Sequence, residues 1–495
     1  MTQEQYDEHS LVLAAEDFER ENFAKYHFFT AQDKKNIAKL RAHGPVLLKG
    51  ARGSGKSALM IEASSGLYPN NRDSSVVGIY VSLRHLDLLR ASGDDYIRLL
   101  CKLVAKETNR RLEENIISED LFSIIDLQDQ LIELSRSKDK RVVLFFDDAA
   151  HIGREANLND FFDAFRTLSN SYISCKASIY PGVTHFGTRF DLYNDATVID
   201  INRSEKLSDF SEVFEEIVSI RFGKQLHDKR FEGSITKPVF CDLLGQFVLG
   251  NMRAFLYACN EVIRRLEADK SINFTDISES AKQLSSNYFW PLLEEIRPKL
   301  GMYEPMVEPA EEIAAILFDK AGSNNERTVL ILREICQKLS KPLEILEYTG
   351  FVSKREVSRS MKSRGRGTRY MLNGCIIVEH MPKGRVSLDD YNRWRSGEEK
   401  AQEFHRASEL MSIELPDISK DHELDILEKP VNTLKKSNAY PYGLTTRMIQ
   451  TLEDAGINTI QALLEQSDDQ ILKLDQFGIQ TLNRIKSTAY QAIWM

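Results

Sequence analysis

The sequence predicts an α/β fold in which a parallel sheet surrounds a phosphate-binding loop and smaller helical modules follow. Residues 50–57 match the pattern GxxxxGK[ST] at every fixed position. An apolar run precedes this motif and a helix-forming stretch follows it, which is the setting the pattern requires. Short apolar runs then alternate with helically spaced apolar residues up to about residue 201, as is typical of parallel α/β sheets.

The glycine-rich motif predicts a nucleotide-binding site. Glycines let the backbone approach a phosphate, and successive N–H groups and the following helix N-terminus attract its negative charge. In this pattern Lys56 neutralises the β- and γ-phosphates, and the hydroxyl of Ser57 binds Mg²⁺. We therefore predict ATP and Mg²⁺ as cofactors. The predicted cofactor-binding residues are Gly50, Arg52, Gly53, Ser54, Gly55, Lys56, Ser57 and Ala58.

A second apolar strand supplies the carboxylates that such a site needs. Residues 142–146 are five consecutive apolar residues, as in a central parallel strand, and Asp147 and Asp148 follow them. We expect Asp147 to hold Mg²⁺ through water, so the predicted metal-site residues are Ser57 and Asp147. The protein has no [NT]KxD motif, so guanine specificity is not indicated.

Composition and charge exclude several classes of protein. The chain has 495 residues and a formal net charge of −9, so any DNA contact must come from local basic patches. No apolar run reaches the ~20 residues of a membrane span, and the N-terminus lacks a signal-like segment. The six cysteines are scattered without metal-binding spacing, as is typical of free thiols. We expect a cytoplasmic protein with no membrane partner.

An aromatic segment lies just ahead of the glycine-rich motif. It contains Phe23, Tyr26, His27, Phe28 and Phe29. These side chains could pack on the adenine base, or they could pack in the core as part of an N-terminal arm. The sequence leaves both interpretations open.

A GNxR turn followed by an apolar helix occurs at residues 250–256. With the glycine-rich motif and the acidic strand, it resembles the origin-recognition-type AAA+ ATPases, and the related STAND signalling ATPases carry a similar turn. The resemblance covers roughly residues 20–385. It implies an AAA+ core with an N-terminal arm over residues 1–205, a helical lid over 206–304 and a winged helix over 305–385.

The resemblance also implies catalytic residues. Arg253 takes the role of the lid arginine that points at the γ-phosphate. Asp148 stands where many AAA+ ATPases carry the glutamate that orients the attacking water, and its shorter side chain predicts slow hydrolysis. Arg189 lies where these proteins place an arginine finger, which acts on a neighbouring subunit; an ordinary surface arginine is the alternative. Thr184 is the candidate for the polar residue expected after the fourth strand.

Residues 309–380 predict the winged helix as three helices and a hairpin. We expect the second helix to begin near Val329 and the third to run from Pro342 to Gly350. The hairpin is the most basic stretch of the chain, and its predicted DNA-binding residues are Lys362, Arg364, Arg366 and Arg369. They would bind phosphates of double-stranded DNA without reading the sequence. A solvated charged hairpin, or one docked on an acidic protein surface, is the alternative.

Residues 386–430 are polar and acidic and predict a linker, whereas residues 431–495 predict a small all-α module. Its short helices and its hairpin turn at Gly478 resemble the C-terminal domain of the bacterial RNA polymerase α subunit, a helix-hairpin-helix relative. The resemblance implies DNA contact through Arg447, at the start of the first helix. Gln480 stands where that family favours a basic residue, so protein binding is the alternative.

These features together predict an ATPase with weak activity that couples its nucleotide state to DNA binding, in a phage-defence, replication or mobile-element system. The alternative is a STAND-type ATP switch whose C-terminal modules bind protein partners. The pair Asp147 and Asp148 favours the switch, and the basic hairpin favours the DNA-binding ATPase. A non-hydrolysing structural subunit is a third, weaker alternative. Self-association, which a finger at Arg189 would require, and an effector partner both remain open.

Overall fold

A parallel five-stranded sheet forms the centre of the N-terminal part of the molecule. The computed structural model describes residues 12–494 except 86, 89–90, 122, 151–154, 183–185, 187–188, 202, 234, 268–269, 398–399, 418–424, 438–439, 441–442 and 476. The strand order is β2-β3-β4-β1-β5, and all neighbouring strands are parallel. The strands are β1 (Val46–Lys49), β2 (Val76–Ser82), β3 (Arg141–Ala150), β4 (Ile173–Ile179) and β5 (Thr197–Asp200). This topology confirms the predicted α/β class.

Apolar side chains on both faces of the sheet explain why helices cover it on both sides. One face packs against Leu100, Leu131 and Phe162, and the other against Leu59 and Met60. The described helices of this part are α1 (Arg20–Tyr26), α2 (Ala31–Arg41), α3 (Lys56–Ser65), α4 (Gly93–Leu112), α5 (Ile124–Lys138), α6 (Glu155–Leu168) and α7 (Leu192–Asp195). The carboxyl ends of the strands share one edge, where ligands of open α/β sheets bind.

A group of helices follows the parallel sheet, over the residues that are predicted to form the lid. They are α8 (Phe210–Phe222), α9 (Lys237–Phe247), α10 (Met252–Arg265), α11 (Phe274–Leu284) and α12 (Trp290–Ile296). Asn251 caps α10, because its side chain accepts a hydrogen bond from the N–H of Ala254. The buried side chains of this group continue without a break into those of the next unit, so the two share one core.

A four-stranded mixed sheet with the order β7-β8-β6-β9 forms the next unit. Its strands are β6 (Thr328–Leu332), β7 (Val352–Ser360), β8 (Arg366–Leu372) and β9 (Gln402–Phe404), and β7 and β8 form an antiparallel hairpin. Its helices are α13 (Val307–Ser323), α14 (Arg333–Lys338), α15 (Ser340–Thr349), α16 (Gly374–His380) and α17 (Leu388–Ser396). The prediction of a helix beginning near Val329 is wrong, because Thr328–Leu332 forms β6 and the helix begins at Arg333. Thr328–Leu332 is a short, fully buried apolar run, a pattern that suits a strand as well as a helix.

The predicted linker begins as packed structure. Tyr391 and Trp394 of α17 are buried in the shared core, and β9 pairs with β6 in parallel. Aromatic residues three positions apart lie on one face of a helix, which gives this polar segment a buried side. Packed structure therefore extends through Ile413, the last residue of that core. The domain boundaries themselves remain predictions.

The C-terminal module is all-α, as predicted, and has its own core, which includes Leu434, Leu452 and Ile485. Its described helices are α18 (Asp425–Glu428), α19 (Thr446–Asp454), α20 (Ile460–Leu464), α21 (Asp468–Leu472) and α22 (Ile479–Trp494). Across the described residues of the whole protein, no helix combines the length and apolar character needed to cross a membrane. The six cysteines carry free thiols, as expected.

Candidate nucleotide-binding site and basic surfaces

The glycine-rich motif forms a tight loop between β1 and α3. Gly53 and Gly55 adopt φ values of 80° and 95°, which favour glycine, and Gly55 is the residue before the first turn of α3. A Cβ at Gly53 would lie 2.3 Å from Oδ1 of Asn251, so a side chain there would collide with the lid turn. The loop therefore presents backbone N–H groups and a helix N-terminus, the geometry that binds phosphate.

Lys56 lies folded back on this loop. Its Nζ donates to the carbonyl oxygens of Gly50 at 2.7 Å and Ala51 at 3.1 Å, and it lies 3.6 Å from the centre of the Tyr180 ring. The pKa of Lys56 is lowered to about 7, mainly by burial; Asp148 and Asp147 oppose this shift, and Arg253 and Arg84 add to it. A buried, poorly compensated ammonium group is favourable for capturing a phosphate anion.

Asp147, at the carboxyl edge of the sheet, is 1% exposed. Its carboxylate accepts hydrogen bonds of 2.7 Å from the hydroxyls of Tyr80 and Ser178. Carboxylate oxygens of Asp147, Asp148 and Glu16 lie within 4.8 Å of one another, and Ser57 lines the adjoining pocket. Oxygen ligands of this kind suit Mg²⁺, so the residues present fit the predicted ion.

Both carboxylate oxygens of Asp148 are engaged. The Tyr180 hydroxyl donates to Oδ1 at 2.8 Å, and Nε of Arg84 makes a close ion pair with Oδ2. Arg84 also pairs with Glu16 at 2.7 Å. Asp148 is therefore tied to Arg84 and Tyr180, and these contacts compete with a water molecule for its carboxylate.

Arg253, Arg84 and Lys56 line one pocket together with Gly53, Ser54, Gly55, Ser57 and Ala58. Nε of Arg253 is buried and has no hydrogen-bond partner among the described residues. Buried polar groups are almost always satisfied, so an unpaired guanidinium nitrogen in this pocket fits an absent anion. The pocket thus provides the charges that a triphosphate requires.

The outer turn of the loop, at Arg52, is held from two directions. The Asn251 side-chain amide donates to the Arg52 carbonyl oxygen at 2.7 Å, and the Arg52 guanidinium pairs with Glu295 of α12 at 3.2 Å. The Arg52 N–H donates to the carbonyl oxygen of Tyr348 in α15 at 3.3 Å. Although burial alone would raise the pKa of Glu295, Lys299 and Arg52 hold it below its usual value. Lid and second sheet unit therefore both contact the phosphate-binding loop.

The aromatic residues ahead of the motif lie in two places: some pack in the core and others line the pocket. Phe23 and Tyr26 are buried and pack with Phe18 against Ala58 and Ile61 of α3. His27, Phe28 and Phe29 line the pocket instead. The N-terminal arm therefore forms one wall of the pocket, next to the first turns of α3.

The structure does not bring every predicted catalytic residue to this pocket. Arg189 is exposed and does not line it, and its carbonyl oxygen accepts a hydrogen bond from Arg166. Its role as a finger acting on another molecule stays a prediction. Thr184 lies outside the described residues. Arg84, Glu16 and Tyr180 were missed by the sequence analysis; Arg84 follows β2 and Tyr180 follows β4 at the carboxyl edge, a position that could have signalled them.

The basic hairpin presents three of its four predicted DNA-binding residues to solvent. Lys362, Arg364 and Arg366 are exposed, whereas the Arg369 side chain is only 14% exposed and pairs with Glu356 at 3.2 Å. Arg447 of the C-terminal module is exposed at the start of α19. The arrangement offers a cluster of exposed cations on the hairpin and one predicted contact residue on the C-terminal module.

Comparison with known proteins identifies one matching family model, described as the C-terminal domain of the alpha chain of bacterial RNA polymerase, over residues 417–489. A search of curated proteins found no significant match. Among solved structures, the protein is similar to the ORC2 protein of Aeropyrum pernix in ADPNP–ADP complexes, with 9% identity and a TM-score of 0.39. That similarity covers 75% of this chain and 95% of that one.

Two further solved structures extend this pattern. The ORC1 protein of Aeropyrum pernix in complex with DNA is similar at 12% identity and a TM-score of 0.32, over 79% of this chain and 96% of that one. A STAND protein with a tetratricopeptide repeat sensor from Pyrococcus horikoshii is similar at 13% identity and a TM-score of 0.29, over 75% of this chain and 45% of that one. The described sheet confirms the predicted α/β class, and the family model confirms the resemblance of the C-terminal module.

Proposed function

We propose that this chain is an ATP-binding, slowly ATP-hydrolysing protein of the origin-recognition type, in which the nucleotide controls contact between the basic hairpin and duplex DNA. The observation that carries the proposal is the convergence on Arg52, where the phosphate-binding loop bonds both the lid and α15. The phosphate-binding loop directly contacts the unit that carries the hairpin, so no other element has to connect the nucleotide site to the hairpin.

Lys56 and Arg253 would hold the β- and γ-phosphates, and Ser57 and Asp147 would hold Mg²⁺ directly or through water. Bound Mg²⁺ and ATP supply, respectively, charge neutralisation and the phosphoanhydride bond that is cleaved. The protein's own contribution to cleavage is Asp148, whose contacts with Arg84 and Tyr180 compete with a water molecule. That competition, together with the short Asp side chain, supports slow hydrolysis.

Coupling to DNA follows from the connections of α15. Arg253 belongs to the lid and Lys56 to the core, so a triphosphate between them would draw these two parts together. The Arg52–Tyr348 hydrogen bond links the same loop to α15, and β7 of the hairpin begins shortly after α15 ends at Thr349. A shift of the loop therefore changes the position of the hairpin.

Duplex DNA affinity should differ at least about fivefold between protein saturated with a non-hydrolysable ATP analogue and protein saturated with ADP, a modest coupling energy for an allosteric protein. Fluorescence anisotropy with a labelled duplex of arbitrary sequence measures both affinities. Lys56→Ala is the control, since it should lose the difference between nucleotides but keep the affinity of nucleotide-free protein. Equal affinities in the two nucleotide states of the wild type would contradict the coupling.

Asp148→Asn should lower steady-state phosphate release by roughly 100-fold or more, because removal of a general base costs this much. ATP affinity should change little, since Asp148 is not expected to bind phosphate. Asp129→Asn, on the exposed surface of α5, is the matched control. An unchanged rate of phosphate release in Asp148→Asn would assign the chemistry to another group.

If Arg189 acts on a neighbouring molecule, the wild-type rate of phosphate release per molecule should rise with protein concentration, and Arg189→Ala should abolish that rise.

The second candidate function is a STAND-type switch, and the engagement of both Asp148 oxygens favours it. A protein that holds its catalytic carboxylate in this way can use nucleotide as a stable signal. In that case the two nucleotide states would still differ, but the hairpin and the C-terminal module would bind a protein partner. The DNA titrations separate the two functions, because a switch of this kind would show no salt-dependent affinity for duplex DNA.

A further inference from the structure

His27 is the residue of the N-terminal arm whose polar ring lines the nucleotide pocket. Its ring stacks on Phe23, with centroids 4.1 Å apart, and meets the Phe18 ring edge-on at 5.0 Å. The arm packs against α3 at Ala58 and Ile61, beyond the phosphate-binding turn. His27 and Lys56 therefore line the same pocket, which gives a nucleotide with its phosphates at Lys56 a wall at His27 against which to place its base.

The hydrogen bonding of His27 fixes its tautomer. Nδ1 lies 2.9 Å from the carbonyl oxygen of Phe23, and a carbonyl oxygen can only accept, so Nδ1 carries the proton and donates it. The pKa of His27 is lowered to about 4, mainly by burial; the hydrogen bond to Phe23 opposes this shift, and Arg221 adds to it. The ring is therefore neutral near pH 7, and its Nε2 is a bare hydrogen-bond acceptor.

Apolar and charged side chains share the pocket with this acceptor. Leu13, Phe28, Ile217 and Leu256 are among its apolar residues, and Glu16 and Arg221 are among its charged ones. Nε and Nη1 of Arg221 donate to the carbonyl oxygens of Tyr26 and Val12, which ties this side chain to the arm. Among the described residues, no donor to Nε2 of His27 is present. An acceptor whose ring is fixed by stacking on Phe23 and by the hydrogen bond to its carbonyl oxygen can select a ligand by its hydrogen-bonding pattern.

We propose that Nε2 of His27 accepts a hydrogen bond from the exocyclic 6-amino group of ATP and makes this residue the determinant of adenine specificity. The proposal rests on the proposed ATP binding. Adenine presents an N–H donor at its 6-position, whereas guanine presents the acceptor O6. In the same orientation guanine would place its lone pairs against the lone pair of Nε2 and leave both acceptors unsatisfied. A site built around a hydrogen bond discriminates strongly against a ligand that lacks it.

Three ligands and three variants test this role. Calorimetry would give the affinities of ATP, GTP and purine riboside triphosphate, which has hydrogen in place of the 6-amino group. Wild type should bind ATP roughly tenfold more tightly than purine riboside triphosphate, a typical value for one hydrogen bond to a buried acceptor. His27→Phe keeps the stacking ring but removes the acceptor. It should bind ATP roughly tenfold more weakly than wild type and purine riboside triphosphate with unchanged affinity.

The other variants keep the result interpretable. His27→Gln retains an acceptor and should recover part of the preference for ATP, while His43→Phe, at an exposed position, should behave as wild type. Unchanged binding of purine riboside triphosphate shows that His27→Phe is folded. The proposal is overturned if wild type binds ATP and purine riboside triphosphate equally, or if His27→Phe retains the preference. Failure of wild type to bind any of the three ligands would instead overturn the proposed ATP binding, and this role with it.

Discussion

Replacing Lys56 by Ala is expected to weaken ATP binding by about 3 kcal/mol, or roughly 100-fold, as truncation of one partner in a buried charge pair does. Lys56 is the ammonium group closest to the backbone of the phosphate-binding loop, and it is 5% exposed, so water cannot replace it. Isothermal titration with ATP and Mg²⁺ measures the effect. Lys35→Ala, an exposed lysine of α2 in the same part of the protein, is the control and should bind as wild type.

The same calorimetry has a second readout in the protonation of Lys56. With its pKa lowered to about 7 by burial, the amine is mostly neutral at pH 8 before ligand binds. Phosphates favour the charged form and raise this pKa, so binding at pH 8 should take up close to one proton. At pH 6 the amine is already charged and uptake should be much smaller. Enthalpies in two buffers of different ionisation heat give the proton count, and equal affinities of wild type and Lys56→Ala would contradict the whole assignment.

Reversing Lys362, Arg364 and Arg366 of the hairpin to Glu should abolish most of the affinity for duplex DNA. Each phosphate contact contributes about one unit to the magnitude of the slope of log affinity against log salt concentration. The slope of the triple variant should therefore be smaller in magnitude by about 3. Binding of wild type should be independent of DNA sequence, because such contacts read no bases. Filter binding or anisotropy between low and physiological salt gives the slopes.

Two controls distinguish hairpin contacts from general electrostatics. Reversal of Lys224, Lys229 and Arg265, which are exposed on the lid, changes the net charge equally and should leave the slope nearly intact. Arg369→Gln should have the smaller effect among the hairpin arginines, since Glu356 already holds that side chain. A slope that falls equally in both triple variants would mean that the hairpin is not the DNA-binding surface.

The phosphate-binding loop was predictable because its chemistry is encoded in eight consecutive residues. Asp147 was predictable for a related reason, since a buried strand that ends in a carboxylate is visible in the sequence. Arg84 and Glu16 were not, because β2 and the N-terminal arm reach Asp148 only when the protein folds. Val329, Leu332 and the next apolar residues fit a helical spacing, so the sequence predicts a helix where Thr328–Leu332 forms a strand.

Tertiary contacts also decide which residues of a basic segment are available. The sequence presents Lys362, Arg364, Arg366 and Arg369 as equivalent cations. In the structure Glu356, on the opposite strand of the hairpin, forms an ion pair with Arg369, whereas the other three cations are exposed. Charge counting along the sequence finds such a surface, but pairing across strands determines how much of it can meet a phosphate.

The contacts that surround Arg52 have a consequence for the design of shorter fragments of this protein. Asn251, Glu295 and Tyr348, which all contact Arg52, lie in the sequence beyond residue 205. A fragment that stops after β5 would keep every residue of the glycine-rich motif yet lose the supports that shape its outer turn. The motif is local in the sequence, but the conformation of its loop depends on contacts with residues far along the chain. Grafting this core onto a lid from another protein would therefore transfer the motif residues without preserving the loop conformation.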